Sequence, residues 1–298
     1  MGYAMIRGIA AIALTVLLVL PVQAQERKSG PLGSQTGPYR EQEWFIAWER
    51  NPGQVYLAHA KIYRPPGEEK RPLVLLAHGA PGNEHDRPKM KPSDYDDRAR
   101  WFAAQGFVVV VPMRRGYGKS DGPYQESSGT CEKPNLVHSG QTMANDIRGV
   151  MQHMVKEPYV DPSRTIIVGQ SAGGLASMAV ASRNPPGVVA VINFAGGRRN
   201  RTASGSYCSF DALVEAAGQF GSAARVPALW IYTENDSFFD GSVSKPMVDA
   251  YRKGGAPVEY HLLPAFEKDG HALFHDFQGQ RIWAPLVTDF LRRLQLMS

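Results

Sequence analysis

At 298 residues, with 43% hydrophobic and 20% charged residues, the chain is long enough for one globular domain with a sizeable core, and its composition excludes disordered and collagen-like classes. Its 33 Lys and Arg against 28 Asp and Glu give a net charge of only +5, with no Lys/Arg run longer than two. Nucleic acid is therefore not expected as a partner.

The N-terminus differs in kind from the rest. Arg7 precedes an uncharged stretch whose apolar centre, Ile9 to Leu20, spans twelve residues and ends in Pro21-Val22-Gln23-Ala24, ahead of polar Gln25-Glu26-Arg27-Lys28. That is shorter than the roughly 20 residues a membrane span needs, and a small-residue cleavage pattern follows it. Residues 1–24 read as a signal peptide, with an uncleaved anchor as the other reading, and the expected location is periplasmic or secreted, with no stable membrane span once the leader is removed. In an exported chain the two cysteines, Cys131 and Cys208, are expected to pair as one disulfide.

Residues 25–40, rich in Gly, Ser, Pro and Gln, read as a flexible linker, so the domain is expected at 41–298. Glu43 to Trp48 and Val55 to Tyr63 are β-like and joined by the turn sequence Asn51-Pro52-Gly53, which predicts an antiparallel hairpin. Strand and helix then alternate. Leu73 to Ala77 is a fully apolar strand leading into His78-Gly79-Ala80-Pro81-Gly82; Asp94 to Gln105 has helical spacing; Phe107 to Pro112 is the next buried strand. Ser139 to Lys156 reads as helix, Thr165 to Val168 as strand, Ala172 to about Ser182 as helix, and Val188 to Phe194 as strand. A helix at Phe210 to Phe220, a strand at Ala228 to Thr233, a helix at Val243 to Arg252, a strand at Val258 to Leu263 and an amphipathic helix at Gln280 to Leu296 complete the chain. This alternation predicts an α/β fold, a mostly parallel sheet with helices on both faces.

The pattern Gly-x-Ser-x-Gly occurs twice, at Gly118 to Gly122 and at Gly169 to Gly173, so the pattern alone decides nothing. Ser120 stands in a loop that continues Gly122-Pro123 and reads as turn chemistry. Ser171 follows an Ile-Ile-Val strand and opens a helix of small residues, the setting of a nucleophile elbow. A serine hydroxyl needs a base held by a carboxylate, and such partners belong beyond the carboxyl ends of later strands. Asp236, after the strand ending at Thr233, is the acid, with Glu234 and Asp240 as lesser candidates. His271, after the last strand, is the base in preference to His261 and His275. Two backbone N–H groups must meet the oxyanion: one from Ala172, the other from the His78 to Gly82 loop. Pro81 has no N–H there, so Ala80 is preferred and Gly79 is the fallback, while His78 shapes the loop.

Together His78 to Gly82, Arg115 to Ser120, Gly169 to Gly173, Asn235-Asp236 and Gly270-His271 make residues 43 to 296 resemble an α/β-hydrolase. The nearest branch is that of dienelactone hydrolases and prolyl-oligopeptidase-like esterases and peptidases. The resemblance implies an eight-stranded sheet and a triad in the order Ser, Asp, His. It departs from dienelactone hydrolases proper, which typically use cysteine as nucleophile, and no β-propeller precedes the catalytic region.

About 33 residues separate the strand ending at Phe194 from that starting at Ala228, so a small insertion at about 195–227 stands over the site instead of a cap domain. Arg115, Tyr117, Arg198 and Phe238 are candidate substrate-binding residues, beside Arg114, Arg199, Arg201, Tyr124, Tyr207 and Phe239. The arginines would either grip a substrate carboxylate or form rim and internal salt bridges. A Cys131–Cys208 bond would staple the insertion to the loop after Pro112. The expected function is an exported serine esterase working by an acyl-enzyme route on a small-molecule ester or short acyl substrate, without metal or cofactor. An aminopeptidase or dipeptidase-like activity and a non-catalytic binding protein on the same scaffold are the alternatives.

Overall fold

A computed structural model describes residues 1–2 and 28–297; the leader expected over 1–24 falls, from residue 3 on, outside the described residues. Among the described residues, eleven strands and six α-helices follow in the order β1 (Gly30–Thr36), β2 (Glu41–Asn51), β3 (Gln54–Tyr63), β4 (Arg71–Ala77), α1 (Asp96–Ala104), β5 (Val108–Pro112), α2 (Leu136–Met154), β6 (Val160–Gln170) and α3 (Ala172–Ala181). They continue with β7 (Val188–Phe194), β8 (Asn200–Arg201), β9 (Tyr207–Cys208), α4 (Phe210–Ala223), β10 (Ala228–Thr233), α5 (Gly241–Lys253), β11 (Val258–Leu263) and α6 (Phe277–Arg293).

The large sheet has nine strands in the order β1-β2-β3-β5-β4-β6-β7-β10-β11. From β5 to β11 every pairing is parallel, while β1, β2 and β3 add on antiparallel. The eight strands expected from the sequence are all present, and β1 is the ninth. Over Gly30–Thr36 it corrects the linker expected at 25–40, because strand pairing draws on the backbone N–H and C=O groups that Gly and Ser still carry, and Pro31 lacks only its own N–H. Here the open edge of β2 supplies the partners: Gly30 pairs with Phe45 and Leu32 with Glu43, and Gln42 Nε2 donates to Gly33 O at 2.7 Å.

Side chains alternate across the strands and so divide between two cores. Leu73, Leu75, Val110, Ile167 and Val191 join Met143, Ile147, Leu175 and Phe220 of the helices on one face. Val74, Leu76, Val109, Val111, Ile166 and Ile192 join Phe102, Trp283 and Phe290 on the other. Helix α3 is buried along its whole length, which its Ala, Gly and Met content permits. Of the insertion expected at 195–227, the α4 part packs into the first core, so only the segment up to Ser209, including the two-stranded β8-β9 ribbon, is free to stand over the sheet's carboxyl edge. Among the described residues no helix is long and apolar enough to cross a membrane.

Candidate active site

Strand β6 turns into α3 with almost no connection, and Ser171 sits on that corner with φ 55° and ψ −120°. A non-glycine residue rarely adopts this backbone, and it holds the side chain out over the edge of the sheet. The corner is tied down by its own backbone: Ser171 N donates to Phe194 O at 3.0 Å, and Ser171 O accepts from Gly174 N and Gly197 N at 2.8 and 3.0 Å. The glycines around it are required by close approach, because a methyl on Gly169 would overlap Gly173 and one on Gly173 would overlap the carbonyls of Ala77 and His78. Ser120 is placed otherwise. Its hydroxyl donates to Met113 O at 2.6 Å and accepts from His59 N at 2.9 Å, as turn chemistry requires.

His271 lies in a single 3-10 turn, Gly270–Ala272, after β11. Its Nδ1 is 3.0 and 3.1 Å from the two carboxylate oxygens of Asp236. Asp236 is buried, and its Oδ1 also accepts from Phe238 N and Phe239 N at 2.8 and 3.0 Å, so the acid is fixed independently of the histidine. The lesser candidates have other places: Glu234 is exposed, and Asp240 caps α5 by accepting from Ser242 N at 2.8 Å. His261 is in β11 beside Glu259 at 2.7 Å, and His275 packs on Tyr95. At the other ring nitrogen of His271, Gln170 Nε2 approaches Nε2 at 3.4 Å, which leaves that nitrogen as the acceptor and Nδ1 as the donor to Asp236.

The loop after β4 approaches the same point. Gly79 N donates to Tyr95 Oη at 2.9 Å, which commits the fallback donor elsewhere. Ala80 and Ala172 both line the cleft with Ser171. His78 is fully buried; its Nδ1 donates to Gly79 O at 2.6 Å and its Nε2 accepts from Arg114 N at 3.1 Å. Burial, reinforced by the nearby Arg114 charge, pushes its pKa well below the ordinary 6.5, so it stays neutral and structural.

These groups open into one cleft of about 550 Å³ lined by Ser171, His271, Tyr117, Arg198, Tyr207 and Phe238, with Arg87, Arg199, Arg201 and Phe239 around them. Three of the four candidate substrate-binding residues therefore reach it. Arg115 does not: its side chain is buried, with Nε 2.8 Å from Asp146 Oδ1 and the guanidinium over Trp48. A doublet of arginines after a strand must send its side chains in different directions, and Asp146 on α2 captures the second. Asp146 itself is pushed up to about 6 by burial, against the pull of Arg115. Arg198 is half claimed, by Glu126 at 3.3 Å and by the Tyr124 hydroxyl. Arg199 lies over Tyr207 at 3.9 Å and donates to Ser237 O at 2.9 Å, and Arg201 donates to Tyr207 Oη at 2.6 Å. Among the described residues neither forms an ion pair with a carboxylate. Three members of the surroundings had no signal in the sequence: Arg87 on a surface turn, Gln170 beside the nucleophile, and Glu126, one of three carboxylates in the long loop after β5.

Cys131 and Cys208 are joined as a disulfide with Cα atoms 5.7 Å apart. It fixes β9 to the loop before α2, and Asn200 in β8 reinforces the join by donating to Ser128 O and Thr130 O at 3.1 and 2.8 Å. Tyr207, next to the bond, packs on Phe238, and Phe238 packs on His271 with ring centroids 4.5 Å apart. No group of His, Cys, Asp and Glu able to hold a metal ion occurs among the described residues.

The model of the dienelactone hydrolase family matches residues 58–289. The chain is 27% identical over 125 residues to the quorum-quenching protein AidA of Acinetobacter baumannii, a match covering 42% of this chain and 36% of that protein. The chain thus spans about a third of the length of that relative. Among solved structures, it is similar to a putative dienelactone hydrolase from Klebsiella pneumoniae, with TM-score 0.57 and 16% identity over 82% of this chain and 96% of that one. It is likewise similar to acetyl xylan esterase 1 from a Thermoanaerobacterium species, with TM-score 0.58 and 17% identity over 91% and 88%.

Proposed function

Since this chain belongs to the dienelactone hydrolase family, we propose that it is an exported serine hydrolase that cleaves a carboxylic ester through an acyl-enzyme. The observation that carries this reading is the His271–Asp236 pair, oriented through Nδ1, in the same cleft as a serine on a strained strand-to-helix corner. Ser171 Oγ attacks the ester carbon while His271 Nε2 takes its proton, and Asp236 stabilises the imidazolium. The carbonyl oxygen, now an oxyanion, is met by the N–H groups of Ala172, at the positive end of α3, and Ala80. Collapse expels the alcohol, which receives the proton from His271. A water molecule then adds to the acyl-enzyme by the same route, releasing the carboxylic acid and restoring Ser171. Nothing in this sequence of steps calls on a metal or an organic cofactor.

The cleft's charges favour an ester that bears a negative group. Glu84 is paired with Arg87 at 3.3 Å, whereas Arg199 and Arg201 keep unpaired guanidinium charge at the mouth. Among the described residues lining the cleft, a substrate amine, as an aminopeptidase would need, meets no free acidic pair. Export is supported by the leader pattern at residues 1–24 and by the disulfide, and N-terminal sequencing of the mature protein tests it.

The central experiment is labelling with a fluorophosphonate probe. One equivalent should react with the wild type and with Ser120→Ala, and none with Ser171→Ala; labelling lost in Ser120→Ala and kept in Ser171→Ala would overturn the assignment. A panel of p-nitrophenyl esters of graded length beside aminoacyl anilides separates the esterase from the peptidase reading, and no turnover of any of them would favour a binding protein.

A further inference from the structure

Three loops that contribute to the cleft come from different strands, and one buried carboxylate touches the residues that tie them together. Glu126 is 1% exposed. Its Oε1 accepts from Arg114 Nε at 2.5 Å, and its Oε2 accepts from Tyr117 Oη at 2.9 Å, from Arg114 Nη2 at 3.3 Å and from Arg198 Nη1 at 3.3 Å. Arg114 in turn donates through Nη1 to His78 O at 2.5 Å and through its backbone N to His78 Nε2 at 3.1 Å. His78 opens the turn that delivers Ala80. Glu126's own backbone is fixed by Ser139 Oγ of α2, which donates to Glu126 O at 2.9 Å.

We propose that Glu126 is a positioning residue for the hydrolytic reaction, holding Arg114 against the His78 carbonyl so that the Ala80 N–H stays aimed at the oxyanion, and fixing Arg198 at the wall of the same cleft. Such a cluster is a poor device for stability alone, since a buried ion pair is often matched or bettered by apolar packing. Its placement gives it another use. The guanidinium of Arg114 is fully buried and would be costly without a counter-ion; burial works against its charge, but Glu126 and Tyr117 offset this and its pKa stays above the ordinary value. Planar and anchored at both ends, that guanidinium transmits the position of Glu126 to the loop after β4. An oxyanion donor displaced by a fraction of an ångström loses part of its effect, because the charge it serves develops only in the transition state.

The inference rests on the acyl-enzyme reading, so the experiment separates the two. Burst titration with the fluorophosphonate probe first counts reactive Ser171 in each variant; absence of labelling in the wild type would remove the hydrolase reading itself. With p-nitrophenyl butyrate, a neutral ester that offers nothing to the arginines, kcat per titrated site is then measured for Glu126→Gln, Arg114→Lys and the double variant. Each single change should lower kcat about 10- to 100-fold with KM within about threefold, and the double should lose no more than the worse single, because both act through one link. Should Glu126→Gln fail to fold, Glu126→Asp keeps the charge and shortens the reach by one methylene, and its kcat should fall together with that of Arg114→Lys. A purely structural role would lower the melting temperature and the number of titrated sites while leaving kcat per site within twofold, and that result, or single losses that multiply in the double variant, would overturn the proposal.

Discussion

Removing the Cys131–Cys208 bond by changing both residues to Ser should destabilise the protein globally and loosen its cleft. The bond joins residues 77 apart. In the chain-entropy description, closing a loop of that size takes from the unfolded ensemble an entropy worth about 4.5 kcal/mol at 25 °C. At about 2 °C per kcal/mol for a domain of this size, the melting temperature should fall by about 10 °C. Urea denaturation followed by tryptophan fluorescence is a suitable assay, because Trp230 and Trp283 are fully buried in opposite cores and report the whole sheet. The double variant should show a lower midpoint and a somewhat steeper slope, since its unfolded chain is freer to expand. Below the transition, KM for an ester should rise more than kcat falls, because the ribbon carrying Tyr207 is released while Ser171, His271 and Asp236 stay seated on the sheet. An unchanged midpoint would refute the reasoning, and two freely alkylated thiols in mass spectrometry of the unreduced wild type would remove its premise.

Other substitutions test other links. Gly173→Ala places a methyl against the carbonyls of Ala77 and His78; because both are backbone and cannot yield, stability should drop by about 3 kcal/mol, and a loss under 1 kcal/mol by urea titration would contradict the packing described. Asp236→Asn should stay folded, since an amide oxygen still accepts from Phe238 N and Phe239 N, but kcat should fall about 10⁴-fold, the scale seen when a triad carboxylate is lost elsewhere; a loss under tenfold would sink its role. His78 is held neutral while an unfolded imidazole titrates near 6.5, so its contribution to stability is complete above that pH and is lost as pH falls. From pH 7.5 to 5.5 the wild type should therefore lose stability relative to His78→Asn, and parallel curves would refute it. Arg199→Met should raise KM for an ester carrying a carboxylate about tenfold, the loss of one charge-assisted hydrogen bond, with a much smaller change for a neutral ester of equal length.

The sequence announced most of the elements because apolar periodicity and Gly/Pro punctuation are local signals. Leu73 to Ala77 and Phe107 to Pro112 read as buried strands from their unbroken apolar runs, and the strand before Ser171 with the small-residue helix after it distinguished one Gly-x-Ser-x-Gly from the other. Chain order at strand ends then led to Asp236 and His271, which the structure brings to 3.0 Å. What stayed hidden depends on partners distant in sequence. Strand β1 has no β-like composition and forms because β2 offers an edge. Arg115 was expected at the cleft, but its direction is decided by Asp146, 31 residues on. Glu126 lies in a loop with no periodicity, and only its three-dimensional company of Arg114, Tyr117 and Arg198 marks it out.

The edge position of β1 bears on how the protein can be attached to other things. From β1 to β6 there are five steps across the sheet, about 24 Å at the usual strand spacing, and Ser171 stands at the end of β6. A tether, carrier protein or solid support joined ahead of Gly30 therefore meets the molecule at its margin, with four strands between it and the strand that ends at the nucleophile. Immobilisation or display through that end should leave substrate traffic at the mouth unimpeded, whereas a graft into the Asn200 to Cys208 ribbon would obstruct it.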